Sequence, residues 1–172
     1  RLGSHDPRCG TRGGKYSLYD GGTHIPLIVY WKDHVRAGLS EDIVSQLDFC
    51  ASLGHLVGGD VPENIDSRDH LDTFLGNDGE ARESIVLEAQ GRLCYRSGDY
   101  ALIPPYKGPV ANITKNELGN LDHWSLFNLK EDRGQLNDLS ATSPEVLEEL
   151  KSDFLAATGT FYKTDVKEEE LK

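Results

Sequence analysis

The chain has 172 residues, with 29 acidic against 18 basic side chains, a formal charge of −11 and 37% hydrophobic residues. A chain of that length buries roughly 70% of the surface it exposes when unfolded, so it needs no disulfide or metal staple. The acidic balance excludes non-specific nucleic-acid binding, which needs basic patches. No apolar run approaches the ~18 residues of a membrane-spanning helix.

Cys9, Cys50 and Cys94 fall at no CxxC or metal-ligand spacing. There is no Met and no secretory leader, which predicts a piece of a longer protein. Residues 1–12, including His5-Asp6-Pro7, have no period and read as loop. Gly13-Gly14 then allow a sharp turn or a close approach of the backbone, and Lys15 follows at once. Asp20-Gly21-Gly22 reads as a second tight turn. Leu27-Ile28-Val29-Tyr30-Trp31, entered through Pro26, reads as a buried strand. A lysine held on a glycine-hinged loop before a core strand suits an anion at a sheet edge; the plainer alternative is a surface lysine in a Gly-rich loop.

Ser40 is a candidate N-cap for a helix over about 41–57, with Ile43, Val44, Leu47, Cys50, Ala51 and Val57 on one face and Gly58-Gly59 as the stop. That pattern places Cys50 in the core. His55 and His70 have no partner at ligand spacing and read as structural histidines. Gly76-Asn77-Asp78-Gly79 marks a boundary. Strands are predicted at 84–89, 93–96, 100–103 and 124–129, with Ser97-Gly98-Asp99 as a turn and Pro104-Pro105 as a stop. Their connections are too short for parallel crossovers, so an antiparallel sheet is expected. Residues 105–122 read as loop and contain Asn112-Ile113-Thr114, a sequon only in a eukaryotic secretory setting. Thr142 or Ser143 caps a last helix with Pro144 in its first turn, a stripe of Val146, Leu147, Leu150, Phe154 and Leu155, and an end near Gly159. The charged residues 164–172 read as a frayed tail.

The motif of Gly13, Lys15, Tyr19, Asp20, Gly21, Gly22 and Pro26, running into an apolar strand, resembles the type I sulfatases of the alkaline-phosphatase superfamily. Asp20 stands where that family usually has Glu, and His24 where it often has Arg. The resemblance continues through Gly38, Asp42, Val44, Ser45 and Asp48, through Val61-Pro62 and Asp66, and through Leu126–Leu139, although Phe127, Asn128, Arg133 and Gln135 depart from the late signature. In order, it covers residues 10 to 157. It implies a substrate-sulfate contact for Lys15, and substrate-facing positions for His5 and His24. The fold implied is α/β, the C-terminal portion of an alkaline-phosphatase-like layer (1–76), then a small α+β subdomain of about four antiparallel strands plus a helix (77–163), then the tail (164–172).

The family's nucleophile, a formylglycine made from C/S-x-P-x-R, has no counterpart here, and neither do its Ca²⁺ ligands. The resemblance therefore implies that formylglycine and Ca²⁺ lie upstream, that the missing N-terminal sulfatase portion is a partner, and that this chain alone is inactive. A sulfated small molecule or glycan is the implied substrate, and a periplasmic or secreted/lysosomal site the implied location. Two other classes stay open: a phosphate or phosphonate ester hydrolase of the same superfamily, told apart by its upstream nucleophile, and a non-catalytic binding module.

Overall fold

The computed structural model describes residue 6 and residues 8–166. Four strands, β1 (Ser84–Ala89), β2 (Arg92–Ser97), β3 (Tyr100–Ile103) and β4 (Ser125–Asn128), pair antiparallel in chain order. Helices are α1 (Asp20–Thr23), α2 (Phe49–Leu56), α3 (Leu71–Leu75) and α4 (Pro144–Thr158). The β1–β2 connection is the two-residue turn Gln90-Gly91, with φ of +54° and +75°. Two successive positive φ values match the right-handed twist of the flanking strands, and Gly takes the second without strain.

Register explains the core. Val86, Tyr95, Leu102 and Leu126 are aligned across the four strands on one face. They pack with Leu150 and Phe154 of α4, and with Val146 and Leu147 at the rim. Pro144 at the start of α4 gives up an N–H that has no partner in a first turn anyway. Leu150 and Phe154 are buried, which stabilises by about 1.5–3 kcal/mol each. Leu155, expected in the stripe, faces out. On the other face Ala89, Cys94, Ile103 and Phe127 pack with Leu18, Tyr19 and Tyr106. The sheet is thus covered by a helix on one side and by loops on the other.

The chain divides into two compact units. One takes the described residues up to Ile25 together with those from Ser84 on; the other is Pro26–Glu83. The N-terminal loop therefore joins the sheet's unit instead of the 26–76 stretch, because Leu18 and Tyr19 fill the sheet's second face.

Two expectations in the Pro26–Glu83 unit are corrected. Residues 27–31 form no strand, and Ile28 and Tyr30 are 88% and 84% exposed. An apolar run becomes a strand only beside another strand that pairs its N–H and C=O groups, and no described residue does so here. The helix starts at Phe49, after a 3₁₀ turn at Gln46–Asp48, and not at 41. The capping box Ser45/Asp48, and not Ser40, closes that 3₁₀ turn ahead of the helix. Cys50 consequently lies exposed and not in the core.

Asp48 is drawn inward at that turn. It is fully buried and accepts from Arg82 Nε at 2.9 Å, from Arg82 Nη2, from the Ser45 N–H at 2.8 Å and from the Arg68 N–H at 3.0 Å. Burial pushes the carboxyl up, but the hydrogen bonds from Arg82 and these two amides outweigh it and hold Asp48 below its ordinary value. His70 is buried beside it, with Nε2 3.7 Å from Asp48 Oδ2. Exposed His55 pairs with Asp69.

Removing one partner of a buried ion pair costs about 3–5 kcal/mol. Arg82→Ala should lower the unfolding free energy of the Pro26–Glu83 unit, read from its urea titration, by that much at pH 7. Asp48's contribution is complete above its ordinary value of 3.8 and is lost as pH falls through its depressed native value. The cost of Arg82→Ala should therefore shrink on acidification; an equal cost at pH 7 and pH 2.5 would show that the ion pair is not its source. A second check uses thiols. Cys9 and Cys50 are exposed, whereas burial pushes the Cys94 thiol up to about 12. A disulfide-exchange reagent should titrate Cys9 and Cys50 in the native chain and reach Cys94 only in denaturant.

Candidate functional site

The loop carrying Lys15 is built from its own backbone outward. The Ser17 N–H donates to Gly14 O at 2.9 Å, the Gly21 N–H to Arg12 O at 2.9 Å and the Gly22 N–H to Tyr19 O at 2.8 Å. These bonds fold residues 12–22 tightly. Gly13 has φ of +85°, and a Cβ there would stand 2.3 Å from Ser17 Oγ. A Cβ on Gly22 would stand 2.2 Å from the Ser17 carbonyl oxygen. Both glycines are required by the loop's contact with itself. The expected turn at 20–22 is the one-turn helix α1, and the Asp20 side chain bonds forward to His24 instead of closing a local turn.

Distant residues then fix the loop. The Leu18 N–H donates to Leu118 O at 3.0 Å. The Asp20 N–H donates to Gln135 Oε1 at 2.7 Å, and Arg12 Nη1 donates to Gln135 O at 2.8 Å. The Arg12 guanidinium also pairs with Glu117 and lies 4.1 Å above the Tyr19 ring. Beneath the loop, Arg92 of β2 is 1% exposed. Its Nη2 donates to Tyr16 O at 3.2 Å, and its Nη1 to Asn120 Oδ1. Arg92, Gln135 and Asn120 were not anticipated as parts of the site. One signal was available: arginine at an inward position of an apolar strand needs buried acceptors.

Lys15 itself is exposed. Its carbonyl accepts from Asn112 Nδ2 at 3.3 Å, and its amine lies 4.9 Å from the centre of the Tyr16 ring. Asn112 Oδ1 in turn accepts from the N–H groups of Thr114 and Asn116, so the 112–116 turn is a second support for the lysine. The backbone on both sides of Lys15 is held, and its ammonium makes no ion pair among the described residues. That arrangement presents a cation without using it for packing.

His24 lies at the far end of the same loop, exposed, with Nδ1 2.9 Å from Asp20 Oδ2. No hydrogen bond, ion pair or ring contact joins it to Lys15 among the described residues. His5 lies outside the described residues. Among the described residues no group of three His, Cys, Asp or Glu converges as a metal site would need, so these side chains do not fit a Ca²⁺ centre. No helix among them is long and apolar enough to cross a membrane.

No protein-family model matches the chain. It is 39% identical over 164 residues to an N-acetylgalactosamine-6-O-sulfatase of Bacteroides thetaiotaomicron, across 93% of this chain and 32% of that protein. It is 26% identical over 159 residues to arylsulfatase A of Homo sapiens, across 81% of this chain and 31% of that protein. A solved structure from the metabolism of multiple glycosaminoglycans by Bacteroides thetaiotaomicron matches with a TM-score of 0.84 at 39% identity, over 92% of this chain and 34% of that one. A sulfatase from Pseudoalteromonas sp., at 23% identity and a TM-score of 0.67 over 90% of this chain and 34% of that one, shares the fold alone. The chain spans about a third of the length of these relatives. Over nearly its whole length it is homologous to the sulfatases, of which it matches the C-terminal part.

Proposed function

We propose that this chain is the C-terminal portion of an enzyme that hydrolyses sulfate esters, and that Lys15 is its contribution to the reacting group. The observation that carries the reading is the 39% identity to a sulfatase sustained over 164 residues. The pinned backbone of Lys15, and an ammonium without an ion pair among the described residues, support it. A compact cation on a fixed backbone can hold a sulfate oxygen or neutralise charge on the departing ester oxygen without reorganising as the reaction proceeds. His24, and His5 outside the described residues, are proposed further contacts to the substrate. A sulfated glycan is the proposed substrate, in keeping with the N-acetylgalactosamine-6-O-sulfatase relative. Formylglycine and Ca²⁺, which the family's chemistry would require, would belong to parts of the protein outside this chain.

The domain reading follows the same line. Residues 1–76 would belong to the catalytic layer, with Leu18 and Tyr19 of that stretch packed on the sheet of a C-terminal subdomain over 77–163, and 164–172 to a tail. The exposure of Leu27, Ile28, Val29, Tyr30 and Trp31 fits a strand whose neighbours lie in the missing N-terminal portion, which would be its partner. A periplasmic or secreted/lysosomal location goes with this assignment.

Lys15→Ala in the full-length protein should lower kcat/KM for an aryl sulfate by roughly 10²–10³, the cost of one transition-state donor. The melting temperature should barely change, because the lysine is exposed and its ammonium makes no ion pair among the described residues. Lys15→Arg should restore activity only in part, since a planar fork does not replace a compact ammonium. Full activity in Lys15→Ala, or loss of folding with it, would remove Lys15 from the site.

A further inference from the structure

Asp20 opens α1, and its side chain is only 12% exposed. One carboxylate oxygen lies 2.9 Å from Nδ1 of His24, and the other 3.7 Å from Nη1 of Arg96 on β2. The backbone beneath is tied down as well: the Asp20 N–H reaches Gln135, and the His24 N–H donates to the Asp20 carbonyl at 2.8 Å. His24 therefore cannot turn freely, although its side chain is 58% exposed. With Nδ1 committed to Asp20, Nε2 is the nitrogen left for a ligand, and it makes no hydrogen bond among the described residues.

We propose that Asp20 is a positioning residue that holds the His24 ring with Nε2 outward and keeps it a cation, so that His24 recognises an anionic group of the substrate only while protonated. This rests on the sulfate-ester reading of the loop. It gives the loop two cations of different kinds, a lysine ammonium and a histidine switched by a proton. An imidazolium N–H aimed at a sulfate oxygen makes a charge-assisted hydrogen bond, whereas a neutral ring offers only its lone pair there. The charged groups facing the ring are Asp20, Arg96 and Arg133. The hydrogen bond to Asp20 raises the His24 pKa above its ordinary 6.5, against burial and the two arginines, which lower it.

The test follows the ring by NMR in the 172-residue chain, with the His24 resonance identified by its absence in H24Q. Wild type and the isosteric D20N are titrated with pH, without and with inorganic sulfate. In wild type, His24 should titrate above the ordinary histidine value, and in D20N lower than in wild type. Sulfate should shift the His24 resonance below its midpoint and leave it unmoved above. In the full-length enzyme, H24Q should raise KM about 10-fold at pH 6 and leave it unchanged at pH 9. A His24 midpoint unaltered by D20N, or a protonated His24 that ignores sulfate, overturns the proposal. The NMR measurement requires no turnover. An unresponsive His24 beside intact Lys15-dependent hydrolysis thus overturns this inference alone. A sulfate-responsive His24 in a protein that hydrolyses no sulfate ester overturns the sulfate-ester reading and leaves the Asp20–His24 pair in place.

Discussion

The sheet β1–β4 is apolar on both faces, and each face has to be taken out of water. Val86, Tyr95, Leu102 and Leu126 demand one cover; Ala89, Cys94, Ile103 and Phe127 demand another. A single amphipathic helix satisfies the first. The second is met by Leu18, Tyr19 and Tyr106, which belong to segments with little regular structure. Residues 11–22 are thereby a layer of the core as well as the carrier of Lys15. This is why the loop's glycines are sterically fixed: a layer with only one helical turn of its own must fold against itself closely enough to exclude water.

Such a layer needs polar anchors, because its N–H and C=O groups have no ladder to join. Arg92 is the chief one. Bringing a guanidinium out of water costs several kcal/mol unless acceptors surround it. Here the Tyr16 carbonyl, the Asn120 side chain and the Ala89 carbonyl do so. The bonds that offset the burial of Arg92 are thus the bonds that place the residue next to Lys15. The Pro26–Glu83 unit uses the same device with signs reversed: a buried carboxylate, Asp48, is met by Arg82 and backbone amides. In both cases one buried charge organises backbone that lacks extended secondary structure.

What could be read from the sequence follows from which interactions are local. Alternation of apolar residues gave β1–β4 nearly residue by residue, and the stripe from Val146 to Phe154 with Pro144 before it and Gly159 after it gave α4. The turn at Gln90-Gly91 escaped notice because Gln is an unusual first residue for it. Leu27–Trp31 has the composition of a strand, yet composition cannot supply the neighbour that a strand must pair with. The start of α2 was misplaced because Ser40 and Ser45 are both acceptable caps. The choice falls to Asp48, which Arg82 draws inward from 34 positions away. At the site, an exposed lysine between glycines was legible. Gln135 and Arg92, which hold its loop, were not, since nothing near them in the chain mentions residues 16–20. The Asp20–His24 pair sat in plain view at helical spacing, hidden only by the expectation of a turn.

The long reach of these anchors has a consequence for biosynthesis. Asp20 is held by a residue 115 positions later, and Arg12 by one 123 positions later. The ribosome adds about 5–20 residues per second, so roughly 6–25 s separate the appearance of the loop from that of Gln135. Until β1–β4 have been made Leu18 and Tyr19 have no complete sheet to cover, and Lys15 is carried on a backbone with nothing beneath it. The first part of the loop to be made is among the last to be finished. A nascent chain that stalls before β4 would expose that apolar pair to chaperones or to aggregation, and the lysine would reach its native geometry only after the sheet had closed over it.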